Sequence, residues 1–219
     1  MLNMNVGPSD CGAERDRRNQ WINDLIEQHC NSINDARTNG AIVNAITFFM
    51  EALGCYQNAN YVACASMCGA AVENVLLELL LYDHKYAVRD SSSGNYAWSY
   101  GQELKDGKSR DYFREMVSPE KNRFRKREET IKYLKNSNRL DCETAKITKG
   151  ILDLRDQAMH YTENTWRKFF KKVAEIPVDE EHFWSFGEDK VRDVIEDTIC
   201  VLSFAAKQFL AKVNKASSI

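Results

Sequence analysis

Proline and glycine are scarce: 3 and 10 in 219 residues. That scarcity argues against a fold of many short strands and tight turns and favours long helices. Charge of one sign is also missing. Lys plus Arg total 30 and Asp plus Glu 32, for a net charge of -2, so no global field draws the chain to nucleic acid and any RNA contact must come from a local patch. No stretch approaches the roughly 18 apolar residues of a membrane span. The most apolar segment, Val72 to Leu81, is interrupted by Glu73, Asn74 and Glu78. The first ten residues lack a basic segment followed by an apolar run, so no secretory signal is expected and the localisation reads as cytoplasmic, away from any membrane. The seven cysteines are odd in number and mostly set among apolar neighbours, which reads as reduced, packed thiols. Cys64 and Cys68 share a helix face, but no second pair completes a metal site.

What is present is helical periodicity. After a loose tail over 1–13, Trp21, Ile22, Leu25 and Ile26 mark a helix from Glu14 to His29, which Asn39-Gly40 separates from the next. Ile42, Ala45, Ile46, Phe49, Met50 and Leu53 mark a second helix. Tyr61 to Tyr82 is the strongest helix; its small residues Ala63, Ala65, Ser66, Gly69, Ala70 and Ala71 allow close approach by neighbours, so it is expected at the centre. Arg89 to Pro119, with Tyr96, Trp98, Tyr100, Tyr112 and Phe113 scattered among Gly, Lys and Asp, reads as an irregular insertion. Ser118-Pro119-Glu120 is a helix start, with that helix running to Leu134 or Lys135. Asp141 is placed to cap the next, through Ile147, Ile151 and Leu154 to about Ala158. A short helix over Thr165 to Val173 and a long final one from Glu188 to Val213 complete the pattern, with no convincing sheet. The expected fold is all-α: one domain over 14–219, an up-and-down bundle of four to five long helices.

The chemistry is concentrated in Leu152-Asp153-Leu154-Arg155-Asp156-Gln157-Ala158-Met159-His160-Tyr161. Arginine supplies a fixed cationic fork for phosphate, and histidine moves a proton near neutral pH. Positions five apart lie about 140° around a helix and about 7.5 Å along it, so Arg155 and His160 do not share a face. They meet on one phosphate only if the helix unwinds near Met159 or if two chains each contribute. His160 also suits a plain role at a helix end, where a cation is favoured. Arg155 has Asp153, Asp156 and Glu73 as candidate ion-pair partners, and Glu73, on an otherwise apolar helix, requires a partner if buried. Lys121-Asn122-Arg123-Phe124-Arg125-Lys126-Arg127 is the one dense basic run, able to line a groove for a phosphate backbone or to form a solvated helix face. Tyr161 is placed either to stack on a base or to pack. Trp166-Arg167-Lys168-Phe169-Phe170-Lys171-Lys172 is a second basic, aromatic stretch that suits a partner surface equally well.

The run Tyr56-Gln57-Asn58-Ala59-Asn60-Tyr61-Val62-Ala63-Cys64-Ala65-Ser66-Met67-Cys68-Gly69-Ala70-Ala71-Val72-Glu73 resembles the first core helix pair of HEPN domains. Ile131-Lys132-Tyr133-Leu134, Asn138-Arg139-Leu140 and Ile151 to His160 resemble their second half, in which a helix carries an Arg, a polar residue, a short spacer and a His. The likeness covers about 41–162, with 87–118 as an insertion. It implies a four- or five-helix bundle and a metal-independent, cofactor-free endoribonuclease, often a homodimer whose two Arg/His sets meet in a cleft, in a defence or toxin-antitoxin setting with an antitoxin or other regulatory protein as partner. Carried onto this chain, the catalytic set is Arg155, His160, Asp156 and Glu73, and the RNA-binding set Lys121, Arg123, Arg125, Lys126, Arg127 and Tyr161. Other members of the family have lost catalysis and serve as interaction modules, which is the alternative expectation.

Overall fold

A computed structural model describes residues 11–38, 40–82, 85–89, 96–100, 127–159 and 187–217, with only the backbone described over 85–89 and 96–100. Within these residues lie six helices: α1 (Cys11–Thr38), α2 (Val43–Gln57), α3 (Tyr61–Leu80), α4 (Arg127–Asn136), α5 (Cys142–Met159) and α6 (Glu188–Ser217). They form a helical bundle. Helix α3 is central, in contact with α2, α4, α5 and α6. Its Cys64, Cys68, Val72, Val75 and Leu79 are buried in one cluster with Ile151 and Leu152 of α5 and Ile195, Leu202 and Phe209 of α6. Each such aliphatic or aromatic side chain contributes about 1.5–3 kcal/mol by leaving water.

Length and composition make Tyr61–Leu80 apolar enough to cross a membrane, with a mean hydropathy of 1.5. This corrects the expectation that no stretch approaches a span; here half of the helix is buried inside the protein, where four neighbouring helices use its apolar surface.

The absence of a sheet is also corrected. Lys85–Arg89 (β1) and Tyr96–Tyr100 (β2) pair antiparallel, from Lys85 opposite Tyr100 to Arg89 opposite Tyr96, and β1 contacts α6. The aromatics of Tyr96-Ala97-Trp98-Ser99-Tyr100 alternate with small residues, a period of two that suits a strand. The remaining part of the expected insertion, the helix start at Ser118 and the short helix over 165–173 lie outside the described residues.

Two turns fix the helices that carry the site. After α2, Ala59 takes a left-handed φ of 55°, its amide donates to the Tyr56 carbonyl and the Asn60 amide to that of Cys55. After α4, Asn138 does the same, with its amide on Lys135 and that of Arg139 on Leu134. Both are Schellman endings, which satisfy orphan carbonyls and reverse the chain. Asp141 caps α5 as its sequence position suggests: the Thr144 amide donates to its Oδ1 at 2.7 Å and the Thr144 hydroxyl to its Oδ2 at 3.0 Å.

Candidate active site

Helix periodicity places Gly69 and Glu73 one turn apart on α3. Arg155 of α5 crosses α3 there. A Cβ at Gly69 would lie 2.4 Å from Arg155 Cγ, 2.5 Å from its Cβ and 2.9 Å from its Cδ, so no larger residue fits without moving a helix or expelling the arginine. A glycine inside a helix costs about 1 kcal/mol relative to alanine; here the missing side chain makes the channel for the Arg155 stem. Beyond it, Arg155 Nη1 donates to Glu73 Oε1 at 2.8 Å.

The same carboxylate oxygen takes a second guanidinium. Arg127, the first residue of α4, approaches it with Nε and Nη2, each at 2.9 Å. Arg127 Nη1 also donates to Asp156 Oδ2, and Asp156 Oδ1 stands 3.8 Å from Arg155 Nη1. Two cations and two anions from α3, α4 and α5 therefore form one charge-balanced cluster. Its side chains are only partly exposed, from 21% for Arg155 to 46% for Asp156. The hydrogen bond to Asp156, helped by the charges of Glu73 and Asp156, holds the Arg127 guanidinium above its ordinary pKa against the opposing effect of burial. Beside the cluster, an open groove of about 430 Å³ runs between α4 and α5, lined by Arg127, Glu128, Ile131, Lys149, Leu152, Asp153 and Asp156.

Compared with family models, curated proteins and solved structures, the chain matches none. The HEPN resemblance therefore stands on the residues quoted for it, and the site on its own geometry.

Of the residues expected to act together, Glu73, Arg155 and Asp156 meet directly. Arg127, expected in the basic RNA-contacting run, joins them through Glu73 and Asp156. His160, Tyr161, Lys121, Arg123, Arg125 and Lys126 lie outside the described residues. Asp153, one of three candidate partners for Arg155, lines the groove; the close bond goes to Glu73. Gly69 went unnoticed as a site residue. Its signal is a glycine one helical turn before a glutamate in an otherwise apolar stretch of a strong helix.

A second cluster escaped the sequence reading altogether. Glu188, at the start of α6, accepts hydrogen bonds from the Tyr56 hydroxyl at 2.9 Å and the Tyr61 hydroxyl at 3.0 Å, and pairs with Arg17 and Arg192, each at 2.8 Å. Arg192 Nε donates to the Tyr56 oxygen at 2.6 Å and its guanidinium lies 5.0 Å from the Trp21 ring. Burial pushes the Glu188 carboxyl up, but the two tyrosine hydrogen bonds and the charges of Arg17 and Arg192 outweigh it and hold the group below the usual glutamate value. Burial likewise pushes Tyr56 up to about 12. With every oxygen of Glu188 engaged and aromatic rings around it, this cluster ties α1, α2, α3 and α6 together.

The described thiols are not a uniform set. Cys64 and Cys68 are buried and Cys55 half-buried, as packed thiols should be, but Cys142 and Cys200 are exposed. The Cys64 thiol is raised well above its ordinary range by its hydrogen bond with Cys68 and by burial, which leaves it unreactive. Among the described residues no three His, Cys, Asp or Glu side chains gather as a metal site requires.

Proposed function

We propose that this chain is a HEPN-like, metal-independent endoribonuclease, working as a cytoplasmic homodimer on RNA and held in check by a regulatory protein such as an antitoxin. The observation that supports this reading is the convergence of Glu73, Arg155 and Asp156: three residues expected in phosphodiester chemistry, the first 82 positions before the second, share one cluster beside an open groove. In this reading the helices form the four-to-five-helix up-and-down core of that family, with 87–118 as its insertion.

The chemistry needs no metal. His160 takes the proton of a ribose 2'-hydroxyl, whose oxygen attacks the adjacent phosphorus. Arg155 holds the non-bridging oxygens and offsets the charge that grows on them. The bond from phosphorus to the 5'-oxygen breaks, and that oxygen leaves with a proton from the protonated histidine of the site. The products are a 2',3'-cyclic phosphate and a 5'-hydroxyl. Glu73 and Asp156 position the guanidinium, and the basic run ending at Arg127, with Tyr161, holds the strand. DNA, which lacks the nucleophile, resists.

A second reading has its own observation. The cluster's formal charges cancel, as in a clasp between helices, and Val43, Phe48, Met50 and Val62 are exposed apolar side chains on α2 and the start of α3. Both suit a catalytically silent helical module that binds another protein.

The deciding experiment is RNA incubation in EDTA with wild type, His160→Ala and Arg155→Ala. Removing a general base lowers cleavage by about 10²–10⁴-fold, and removing the phosphate-holding donor by about 10²–10³-fold. Cleavage that survives both substitutions, or no cleavage by wild type at any enzyme concentration, overturns the nuclease reading in favour of the silent module.

A further inference from the structure

We propose that Arg127 and Arg155 form an exchangeable anion receptor for a phosphate group, with the Glu73 and Asp156 carboxylates as resident counter-anions that the incoming phosphate displaces. Two guanidinium groups from different helices converge on a single oxygen, Glu73 Oε1, at 2.8 Å from Arg155 and 2.9 Å from Arg127. Three N–H donors directed at one anionic oxygen are the arrangement that also holds a phosphate oxygen, because carboxylate and phosphate offer guanidinium the same charged, in-plane acceptors. Without an anion between them the two cations would repel across a partly dry space, so the receptor is never empty: when no phosphate is present, Glu73 and Asp156 fill it.

Three features favour exchange over a permanent clasp. Asp156 is nearly half exposed, so it swings to water at low cost. The groove opens directly on Arg127 and Asp156, giving a ligand a path to that edge. Arg155 itself cannot follow a departing carboxylate, because its stem is threaded over Gly69 between two helices. The fixed partner is the cation and the movable one the anion, which is the order that anion exchange requires. Arg127 thereby becomes a second phosphate-directed residue, one that the Arg/His pair alone does not supply. This inference rests on the proposal that the cluster meets a phosphodiester, but it does not require that the diester be cut.

The test uses the full chain, inorganic phosphate as the probe and sodium chloride at matched ionic strength as the control, read by calorimetric titration. A second arm uses a short single-stranded DNA, which presents diester phosphates that this chemistry cannot cleave. Asp156→Asn and Glu73→Gln keep the shape of the cluster and remove one resident charge each. One charge-assisted hydrogen bond that no longer has to be displaced corresponds to about tenfold tighter binding. Either variant is expected to bind phosphate at least tenfold more tightly than wild type, and Arg127→Ala added to it is expected to abolish the gain. If Glu73→Gln fails to fold, Asp156→Asn, whose side chain is the more exposed, carries the same expectation. A folded Asp156→Asn with no gain in phosphate binding, or a gain that persists without Arg127, overturns the inference and leaves a structural clasp. Phosphate exchange without RNA cleavage sinks the nuclease reading alone; cleavage without the gain sinks this inference alone.

Discussion

Glu188 and Glu73 each receive two arginines where several helices meet, yet one cluster is closed and the other opens on a groove. Glu188 is wrapped by Tyr56, Tyr61 and Trp21, with only 17% of its side chain exposed, and its four partners come from α1, α2, α3 and α6. Glu73 is 35% exposed, has no aromatic among its bonding partners in the described residues, and shares its two arginines with a second carboxylate at the groove's edge. The difference is instructive because the ingredients are so alike. Tyrosine hydroxyls convert an ion pair into a fully satisfied node whose removal strands buried partners. A second, exposed carboxylate does the opposite and leaves the node open to substitution.

The contrast is broken or sharpened first by removing each glutamate. Glu188→Ala leaves the buried Tyr56 hydroxyl and the Arg192 charge without their acceptor, and is expected to lower stability in urea denaturation by about 3 kcal/mol. Glu73→Ala, with water already at its edge, is expected to cost about 1 kcal/mol. Equal losses would mean that both clusters are scaffold.

The next largest effect concerns Gly69. Gly69→Ala gains about 1 kcal/mol in helix propensity but overpacks the Arg155 stem, for a net loss of about 1–2 kcal/mol by thermal denaturation. In an Arg155→Ala background the clash disappears and the same substitution should become stabilising. Additive effects in that double-mutant cycle would show that the stem does not need the glycine.

The smallest effect is in the pH profile. Tyr56 holds its proton more tightly in the folded state, with a pKa raised from 10 to about 12. The folded state thus binds more protons than the unfolded one between those values, and the stability Tyr56 contributes is complete below pH 10 and lost as pH climbs toward 12. Glu188 runs the other way: its lowered pKa gives stability that is present above the ordinary glutamate range and lost as pH falls through and below it. Alkaline titration of Tyr56→Phe should show a flatter decline than wild type; an unchanged slope would remove Tyr56 from the network.

Much of this architecture could be read from local chemistry. The small residues of α3 announced a central helix, Asp141 a cap, and the glutamate on an apolar face a need for a partner, for which Arg155 was a candidate. What failed to show were features with no local signature. α1 runs on to Thr38, past the expected end at His29; among the described side chains of its last turns Ile33 is the one buried apolar residue, which gives a periodicity search nothing to follow. The hairpin's alternation spans only five residues a strand, too few to stand out among flanking polar residues. Arg127 looked like the end of a basic run because sequence counts charge and not direction; its partners lie 54 positions upstream and 29 downstream. Glu188 and Tyr56, 132 positions apart, had nothing in the chain to link them.

The threading of Arg155 over Gly69 carries a consequence for how this protein can change over generations. Bulk gained at position 69 has to be matched by bulk surrendered at position 155, so the two sites drift as one unit and neither can be altered first without penalty. A lineage that abandons the arginine is thereby released to fill the gap with alanine, and the residue at 69 becomes a record, readable without any assay, of whether its ancestors still had use for the cation.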